Sequence, residues 1–386
     1  MDLDAFRWLL TPPGQALLEQ AAALAGEPPL RAQTVLRRGA DPAHVAAALT
    51  QVELRTRAVA KFGEQAHLLY FTPDGLEQAT RARVAAHRAA RLRAFGARSL
   101  LDLGCGIGGD LMAAAATGVV CAGIDLDPVR VEVARANLAA LGLEGAVMVA
   151  DAADVDPTPF DVVFVDPARR SGRGRSFDPA DWTPSWTLVE ALLRRDACAK
   201  VAPGIPHDLV PDGVEAEWVS DAGEVKEAAL WSGRLATTAR RATVIGERGL
   251  ATLTDEDDPG AGVRALGSHL YEPDGAVIRA GLVTAVAARL DGGLLDEHIA
   301  YVTTDTPSPT PFARGYEVLE ELPYREKALR AALRERGIGR LTIKKRGVEV
   351  VPEQLRRRLD LSGDAEATIV LTRVAGEGTC LLVRPI

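Results

Sequence analysis

The residues best placed to do chemistry are four aspartates that each follow a short apolar run: Asp102, Asp125, Asp151 and Asp166. The runs alternate with helical patterns, which is typical of a parallel sheet with crossover helices. Because neighbouring parallel strands end at one edge of such a sheet, we expect the four carboxylates to converge on one crevice. A helix N-cap explains any one of them, but it explains the set of four poorly. The pattern therefore predicts a positively charged ligand.

The stretch LDLGCGIGGD, residues 101–110, places a glycine-rich turn directly after the first of these runs. Gly104, Gly106 and Gly109 satisfy GxGxxG, so a nicotinamide- or flavin-dependent oxidoreductase is one interpretation. In a dinucleotide site, however, Asp102 would add negative potential beside a pyrophosphate. S-adenosylmethionine carries an ammonium and a sulfonium and has no phosphate. The acid before the glycines therefore favours S-adenosylmethionine as the cofactor.

The ends of the next two strands supply the other groups that such a cofactor needs. The two oxygens of Asp125 can accept hydrogen bonds from both ribose hydroxyls, and Leu126 follows as an apolar surface for the adenine. Asp151 is placed to accept a hydrogen bond from the exocyclic amine of the adenine. Ala152 offers a backbone N–H beside it.

Three motifs resemble those of the class I S-adenosylmethionine-dependent methyltransferases: LDLGCGIGGD, GIDLD and DVVFVDPAR. The resemblance covers about residues 70 to 250. It implies a Rossmann-like, doubly wound, seven-stranded α/β sheet and S-adenosylmethionine as the cofactor. The family's cofactor-binding roles fall on Asp102, Gly104, Gly106, Asp125 and Asp151.

The stretch YFTPDGLEQAT, residues 70–80, precedes the catalytic region. In relatives that include the cap-hypermethylating guanosine synthases, a similar segment closes over the methionine end of the cofactor. The resemblance extends this role to Phe71 and Thr72. A plain helix start at Thr72-Pro73 is the alternative.

The fourth strand is followed by Asp166-Pro167-Ala168-Arg169, which resembles the active-site motif of the family and implies catalytic roles for Asp166, Pro167 and Arg169. No aromatic residue follows, which disfavours methylation of an exocyclic base amine. DPAR also resembles the motif of RNA uridine carbon-5 methyltransferases, but the cysteine they need after the next strand is missing. Cys198 lies inside that strand and is expected to be buried. We therefore expect direct in-line transfer to nitrogen or oxygen.

Several residues near this motif have two interpretations. The arginine- and glycine-rich stretch Arg169–Arg175 is either a phosphate-binding loop or a solvated one. Trp182 and Trp186 either stack on a base or belong to the core. Lys200 either orients the substrate or lies in solvent.

The remaining pattern predicts a division into four parts: helices at 1–96, the catalytic domain at 97–250, a connecting segment at 251–313, and a small α+β domain at 314–386. The last part resembles a ferredoxin-like, THUMP-like domain, and KKRG at 344–347 with Arg356–Arg358 gives it a basic face. This resemblance implies a structured RNA, tRNA or rRNA, as the substrate.

The same pattern predicts individual elements. One helix is expected from Thr72 to about Arg93, and a helical segment at 276–290 has no evident position. The strands within 216–245 are expected to extend the sheet as an antiparallel tail.

Composition limits the alternatives. The 386 residues are 47% hydrophobic and 25% charged, as in an ordinary globular protein. The net charge of −8 combines basic flanks, 1–98 and 324–386, with an acidic middle. The sequence shows no signal peptide, membrane span or metal-binding cysteine pattern, so we expect a cytoplasmic, metal-free protein. A catalytically silent RNA-binding protein and a small-molecule methyltransferase stay open as alternatives; the oligomeric state is not predicted.

Overall fold

The computed structural model describes residues 2–169 and 182–386, which form two compact units. The first unit runs to Val201 and adds Ile205–Val214 and Ala229–Thr237. The second comprises Ala202–Gly204, Glu215–Ala228 and Thr238–Ile386.

The first unit begins with helices, which confirms the predicted helical N-terminal region. Four of these helices begin with a proline. The fixed φ of proline suits the start of a helix, and its lack of an N–H costs no hydrogen bond there, because an N–H at this position has no partner within the helix. Asp41 caps the longest helix by accepting a hydrogen bond from the Ala43 N–H at 2.8 Å. The helices are α1 (Leu3–Leu9), α2 (Pro12–Ala23), α3 (Pro29–Leu36), α4 (Pro42–Phe62), α5 (Pro73–Gln78) and α6 (Ala82–Phe95).

The single helix expected from Thr72 to Arg93 is wrong, because α5 and α6 are separate. The chain is extended at Ala79, with ψ 136°, and again at Arg81, with ψ 139°. The last carbonyl oxygens of a helix have no partners within it. Lys61 donates hydrogen bonds to three such oxygens at the end of α5 and so stabilises the end of the helix. These are the carbonyls of Leu76, Glu77 and Ala79, at 2.8, 2.6 and 2.9 Å.

A parallel sheet follows these helices in the first unit, as the alternating pattern predicted. Its elements are β1 (Ser99–Leu103), α7 (Gly109–Ala115), β2 (Val120–Asp125), α8 (Pro128–Ala140), β3 (Ala146–Val149), β4 (Val162–Val165), β5 (Ala168–Arg169), β6 (Trp182–Thr183), α9 (Trp186–Leu192) and β7 (Ala197–Val201). The order is β3-β2-β1-β4-β7, with every neighbouring pair parallel. Strand order reverses between β1 and β4, where a doubly wound sheet binds its ligand. Strands β5 and β6 form a separate two-stranded ribbon.

The second unit begins with a smaller group of strands: β8 (Glu215–Asp221), β9 (Glu224–Ser232), β10 (Arg240–Gly246) and β11 (Gly249–Thr254). Residues Ala229–Ser232 of β9 belong to the first unit, where they lie beside β7. The expected antiparallel tail is wrong for its last strand, because β10 pairs with β8 in parallel. Strand β11, which lies beyond the predicted strands, pairs with β10 antiparallel. A tight turn at Ala222 and Gly223, both with positive φ, places β9 on one side of β8. Strand β10 therefore takes the opposite edge of β8.

The second unit continues into a seven-stranded sheet in the order β13-β14-β12-β15-β18-β17-β16. Its elements are β12 (His269–Pro273), α10 (Gly275–Ala280), α11 (Val283–Arg289), β13 (Gly293–Asp296), β14 (Ile299–Thr304), β15 (Ala313–Leu322), α12 (Glu326–Glu335), β16 (Ile338–Lys345), α13 (Pro352–Leu359), β17 (Ala365–Val374) and β18 (Glu377–Pro385). Leucines spaced four apart on α12 and α13 are buried in one core with strand residues. The predicted helical segment 276–290 is α10 and α11, which are separated at Gly281, where φ is 69°.

One hydrophobic core serves both the N-terminal helices and the parallel sheet of the first unit. Phe6 and Leu54 of the helices and Leu100 and Phe164 of the strands belong to it, and each is at most 2% exposed. The predicted boundaries at 96/97, 250/251 and 313/314 stay predictions. No helix in the described residues is both long enough and apolar enough to cross a membrane.

Candidate active site

A cavity of about 640 Å³ lies in the first unit, where the carboxyl ends of β1, β2 and β4 meet. Its charged lining consists of the aspartates Asp102, Asp110, Asp125, Asp127, Asp151 and Asp166 and the basic residues Arg130 and Lys200. The four aspartates singled out by the sequence are among them. An excess of carboxylates in a concave site favours a cationic ligand.

The glycine-rich turn between β1 and α7 forms one wall of this cavity. Gly104 and Gly106 both line it and have φ values of 92° and 56°, a conformation that strains any residue with a Cβ atom. The N–H groups of Gly104 and Cys105 donate to the Ile124 carbonyl oxygen at 2.9 and 2.8 Å, which fixes the turn against β2. The turn thus brings bare backbone to the cavity surface.

Asp125, at the end of β2, is held rigidly beside this turn. Its Oδ2 accepts a hydrogen bond from the Gly106 N–H at 3.0 Å, and its Oδ1 accepts one from the Asp127 N–H at 2.9 Å. Each carboxylate oxygen can accept more than one hydrogen bond. Asp125 is therefore fixed in place and keeps acceptor capacity for two ligand hydroxyls.

The next groups along this edge lie at the more open part of the cavity. Leu126 lines it and is 56% exposed, so it offers an apolar surface to the face of a ligand. Asp151 is exposed, and its Oδ1 accepts from the Ala153 N–H at 2.9 Å. Ala152 also lines the cavity. All seven of the cofactor-binding residues predicted from the sheet edge and the glycine turn thus surround one space.

Asp102 is a buried carboxylate in the cavity wall. It is 1% exposed, and neither carboxylate oxygen has a hydrogen-bond partner among the described residues. Burial raises its pKa well above the usual value, and the charges of Asp110 and Asp166 add to the rise. The positive charges of Lys200 and Arg88 offset this rise in the pKa of Asp102 only in part.

A chain of polar contacts connects Arg88, behind the cavity wall, to Asp166 at the end of β4. Arg88 Nε donates to Asp110 Oδ1 at 3.0 Å, and Thr80 Oγ1 donates to Asp110 Oδ2 at 2.7 Å. Lys200 Nζ lies 3.1 Å from Thr80 Oγ1 and forms an ion pair with Asp166. Burial alone would raise the pKa of Asp110, but Arg88 and Lys200 outweigh it and lower that pKa.

The segment 70–80 reaches the cavity through other residues than the two predicted. Phe71 is fully buried, and Thr72 caps α5 by accepting from the Gly75 N–H at 3.0 Å; neither lines the cavity. Gly75, Gln78, Ala79 and Thr80 line it instead.

Two buried amides fix the start of this segment. Gln51 donates to the Phe71 carbonyl at 2.7 Å and accepts from its N–H at 3.0 Å. Asn137 accepts from the Tyr70 N–H at 2.7 Å and donates to its carbonyl at 3.0 Å. These four hydrogen bonds hold the backbone at the start of the segment 70–80, whose end lines the cavity at Thr80.

The remaining predicted groups lie around the end of β4. Asp166 lines the cavity, and Pro167 is partly buried without lining it. Arg169 lies in the β5 strand of the ribbon, and the rest of the predicted basic loop, residues 170–175, lies outside the described residues. Cys198 is fully buried, as expected.

Trp182 and Trp186 are buried, which supports the interpretation that they belong to the core. They are 3% and 8% exposed, and their rings pack edge to face at 5.2 Å. Burial of this kind leaves little ring surface for stacking on a base.

The sequence interpretation missed the contributions of Thr80, Asp110 and Arg88. Asp110 ends the glycine motif and carried a usable signal, because an acid at the first turn of α7 needs a partner when it is buried. Thr80 carried none, since it was placed inside a continuous helix. Within residues 2–169 and 182–386, no cluster of histidine, cysteine and acidic side chains is suited to hold a metal ion.

Three family models match parts of the chain. Residues 100–169 match a methyltransferase domain, residues 313–385 match a THUMP domain-like family, and residues 2–58 match a domain family of unknown function. The THUMP domain-like match agrees with the resemblance seen in the sequence.

The chain is also similar to whole proteins. Uncharacterized S-adenosylmethionine-dependent methyltransferases from two strains of Mycobacterium tuberculosis are each 41% identical to it over 336 residues, which is 83% of this chain and 90% of theirs. The crystal structure of a proposed methyltransferase from Porphyromonas gingivalis W83 superimposes with a TM-score of 0.79 at 23% identity, covering 96% of this chain and 98% of that one. This last likeness concerns the fold.

Proposed function

This chain belongs to the S-adenosylmethionine-dependent methyltransferases, and we propose that it transfers the methyl group directly to a nitrogen or oxygen of a structured RNA, tRNA or rRNA. The observation that carries the RNA proposal is the presence of a THUMP domain-like region at 313–385 in the same chain as the methyltransferase domain at 100–169. Membership of this family leaves no support for the oxidoreductase alternative.

We place the cofactor in the cavity of the first unit. The fit is chemical: the lining is rich in carboxylates, and the buried carboxylate of Asp102 has no donor among the described residues. When bound, the cofactor supplies a methyl group activated on a sulfonium. Asp125 would hold the ribose, Leu126 the adenine face, Asp151 with Ala152 the adenine edge, and Gly104 and Gly106 would allow close approach of the backbone.

The acceptor would enter on the side of Asp166. Transfer from a sulfonium is an in-line displacement, so the protein's task there is to hold a lone pair in line and accept any proton released. Asp166 provides a hydrogen-bond acceptor, and its ion pair with Lys200 fixes its orientation. Lys200 occupies the end of β7, where carbon-5 enzymes need a nucleophilic cysteine, which supports transfer without a covalent intermediate on the protein.

The basic face predicted for the C-terminal region is smaller than its sequence suggests. Lys344 and Arg346 pair with Glu272, and Arg358 pairs with Glu326. Lys345 and Arg357 are exposed and form no ion pair with a described residue. These two cations are the ones we propose for contact with RNA phosphates.

The proposal is tested by incubating the protein with tritiated S-adenosylmethionine and RNA from a strain that lacks the protein. Label is expected in one tRNA or rRNA species and absent when the same RNA comes from the wild-type strain. Asp166→Ala provides the matched control, since it is expected to bind the cofactor and transfer no label.

Three outcomes contradict the RNA proposal. Label confined to the small-metabolite pool would select the small-molecule methyltransferase, and label confined to protein would select a protein acceptor. Cofactor binding without transfer to any of the three pools would select a catalytically silent RNA-binding protein.

A further inference from the structure

The charges around the cavity do not balance in the described structure. Arg88 is matched with Asp110 at 3.0 Å, and Lys200 is matched with Asp166. Asp102 is 1% exposed and has, among the described residues, neither a cation of its own nor a hydrogen-bond donor. An isolated carboxylate in such a place costs far more free energy than a neutral carboxylic acid.

The groups packed around Asp102 do not remove this imbalance, although Arg88 and Lys200 reduce it. Cys105 and Cys121 are neutral thiols whose pKa is raised by burial first and by Asp102 among other charges. The facing titratable and charged groups are Arg88 on α6, Cys105 in the glycine turn, Asp110 on α7, Cys121 and Asp125 on β2, Asp166 after β4 and Lys200 on β7. Five of these seven groups are carboxylates or thiols that disfavour a further negative charge, and the two cations are already paired with Asp110 and Asp166.

We propose that Asp102 carries a proton in the cofactor-free protein and releases it to solvent when a cationic cofactor enters, so that cofactor uptake is coupled to the loss of one proton. The O–H bond of the carboxylic acid breaks, the buffer takes the proton, and the new carboxylate charge is matched by the incoming positive charge. The raised pKa of Asp102 agrees with this geometry. The inference rests on the cofactor and is independent of the RNA acceptor.

Because of this coupling, we expect Asp102 to discriminate between the cofactor and its demethylated product by their charge. S-adenosylmethionine carries a net charge of about +1 at neutral pH, whereas its demethylated product has lost the sulfonium charge. The product therefore compensates the Asp102 carboxylate less well. We expect the product to release fewer protons on binding than the cofactor does, and its affinity to rise less with pH.

Isothermal titration calorimetry measures this coupling directly. The binding enthalpy of S-adenosylmethionine is measured at pH 7 in phosphate, HEPES and Tris, whose ionisation enthalpies differ, and its slope against them gives the protons released. We expect a slope of about one proton for the wild-type protein and about zero for Asp102→Asn. Asp127→Asn removes a half-exposed carboxylate from the lining of the same cavity, keeps a side chain that can cap α8, and is expected to keep the wild-type slope.

A wild-type slope near zero, or an equal slope in Asp102→Asn, would overturn the proposal. If Asp102→Asn does not bind the cofactor, urea unfolding of the cofactor-free proteins provides the second measurement. A carboxyl that keeps its proton when folded and loses it when unfolded makes stability fall as pH rises from its ordinary pKa toward its raised one. The wild-type protein should lose stability relative to Asp102→Asn between pH 5 and 8, and parallel curves would contradict the assignment. Neither measurement involves RNA, so a failure here differs from a failure to methylate RNA.

Discussion

The cavity of the first unit and the C-terminal surface are both rich in charged side chains, but the charges at the cavity include a buried pair, whereas those on the C-terminal surface are exposed to solvent. In the cavity, Arg88 and Asp110 form a pair whose side chains are 4% and 11% exposed. On the C-terminal sheet, Arg340 and Glu366 are register partners whose side chains are 74% and 68% exposed. Burial removes the favourable solvation free energy of a charged group. A buried charge is therefore expected only where a partner or a ligand compensates it, whereas an exposed charge needs no partner.

This contrast separates two signals that look alike in a sequence. Runs of arginine and lysine in the C-terminal region suggested a binding face, yet three of these six side chains, Lys344, Arg346 and Arg358, pair with nearby acids. Four aspartates at strand ends suggested a binding site, and all four line one cavity. Position at a sheet edge was therefore more informative than abundance of charge.

The largest expected effect comes from breaking the buried pair. Asp110→Ala leaves Arg88 buried without this carboxylate, and we expect the free energy of unfolding at pH 7 to fall by roughly 3 kcal/mol. Because the pKa of Asp110 is lowered in the folded protein, its stabilisation is present above the ordinary pKa of an aspartate, about 3.9. The difference between wild type and variant should shrink as the pH falls through the lowered native pKa. Urea unfolding at several pH values measures both, and a pH-independent difference would contradict the charge interpretation.

The second effect concerns turnover on the acceptor side. Asp166→Ala removes the proposed acceptor of the substrate hydrogen bond, and we expect the rate of methyl transfer to fall by at least about 100-fold. Cofactor affinity should stay within a few-fold of wild type, because none of the proposed cofactor contacts involves Asp166. Calorimetry and single-turnover transfer, compared side by side, check this. Equal losses of binding and turnover would place Asp166 in the cofactor site instead.

A smaller effect is expected on the C-terminal surface. The double variant Lys345→Ala/Arg357→Ala should weaken RNA binding and reduce the slope of log affinity against log salt by roughly one to two. Arg340→Ala/Arg384→Ala removes two cations that are already paired with Glu366 and Glu317, so a weaker effect is expected from this matched control. Fluorescence anisotropy with labelled tRNA or rRNA fragments across a salt series measures both slopes. Identical slopes in the two variants would show that ion pairing does not decide which cations bind.

The smallest effect is the counterpart of the first. Glu366→Ala breaks the exposed pair with Arg340, and the free energy of unfolding should change by less than about 1 kcal/mol. High salt should reduce this change further, because exposed charges are screened. A loss as large as that of Asp110→Ala would mean that exposure does not separate the two regions.

Much of the catalytic sheet could be predicted, since its signals are local. Asp102 and Asp125 lie at the carboxyl ends of β1 and β2, as the apolar runs indicated. Periodicity and a following acid or glycine are sufficient where a strand is buried on both faces. The cofactor and the protein family were predicted from the glycine-rich motif and the aspartates at the strand ends.

The features that could not be predicted depend on contacts between residues distant in the sequence. The break between α5 and α6 is made by Lys61 of another helix, and only this break brings Thr80 to the cavity. The parallel pairing of β10 depends on which edge of β8 is open. Strands β12 to β14 pair within the sheet that contains β15 to β18, which lie far along the chain. Local propensity carries no information on such pairings.

The central claim is that carboxylates gathered at one sheet edge hold the cationic methyl carrier. A crystal structure of the protein with S-adenosylhomocysteine tests it most directly. We predict ligand density in the cavity, with both ribose hydroxyls within 3.2 Å or so of the Asp125 carboxylate and the adenine against Leu126. Density at another site, or a ligand in this cavity with Asp125 and Asp102 both facing away from it, would contradict the account.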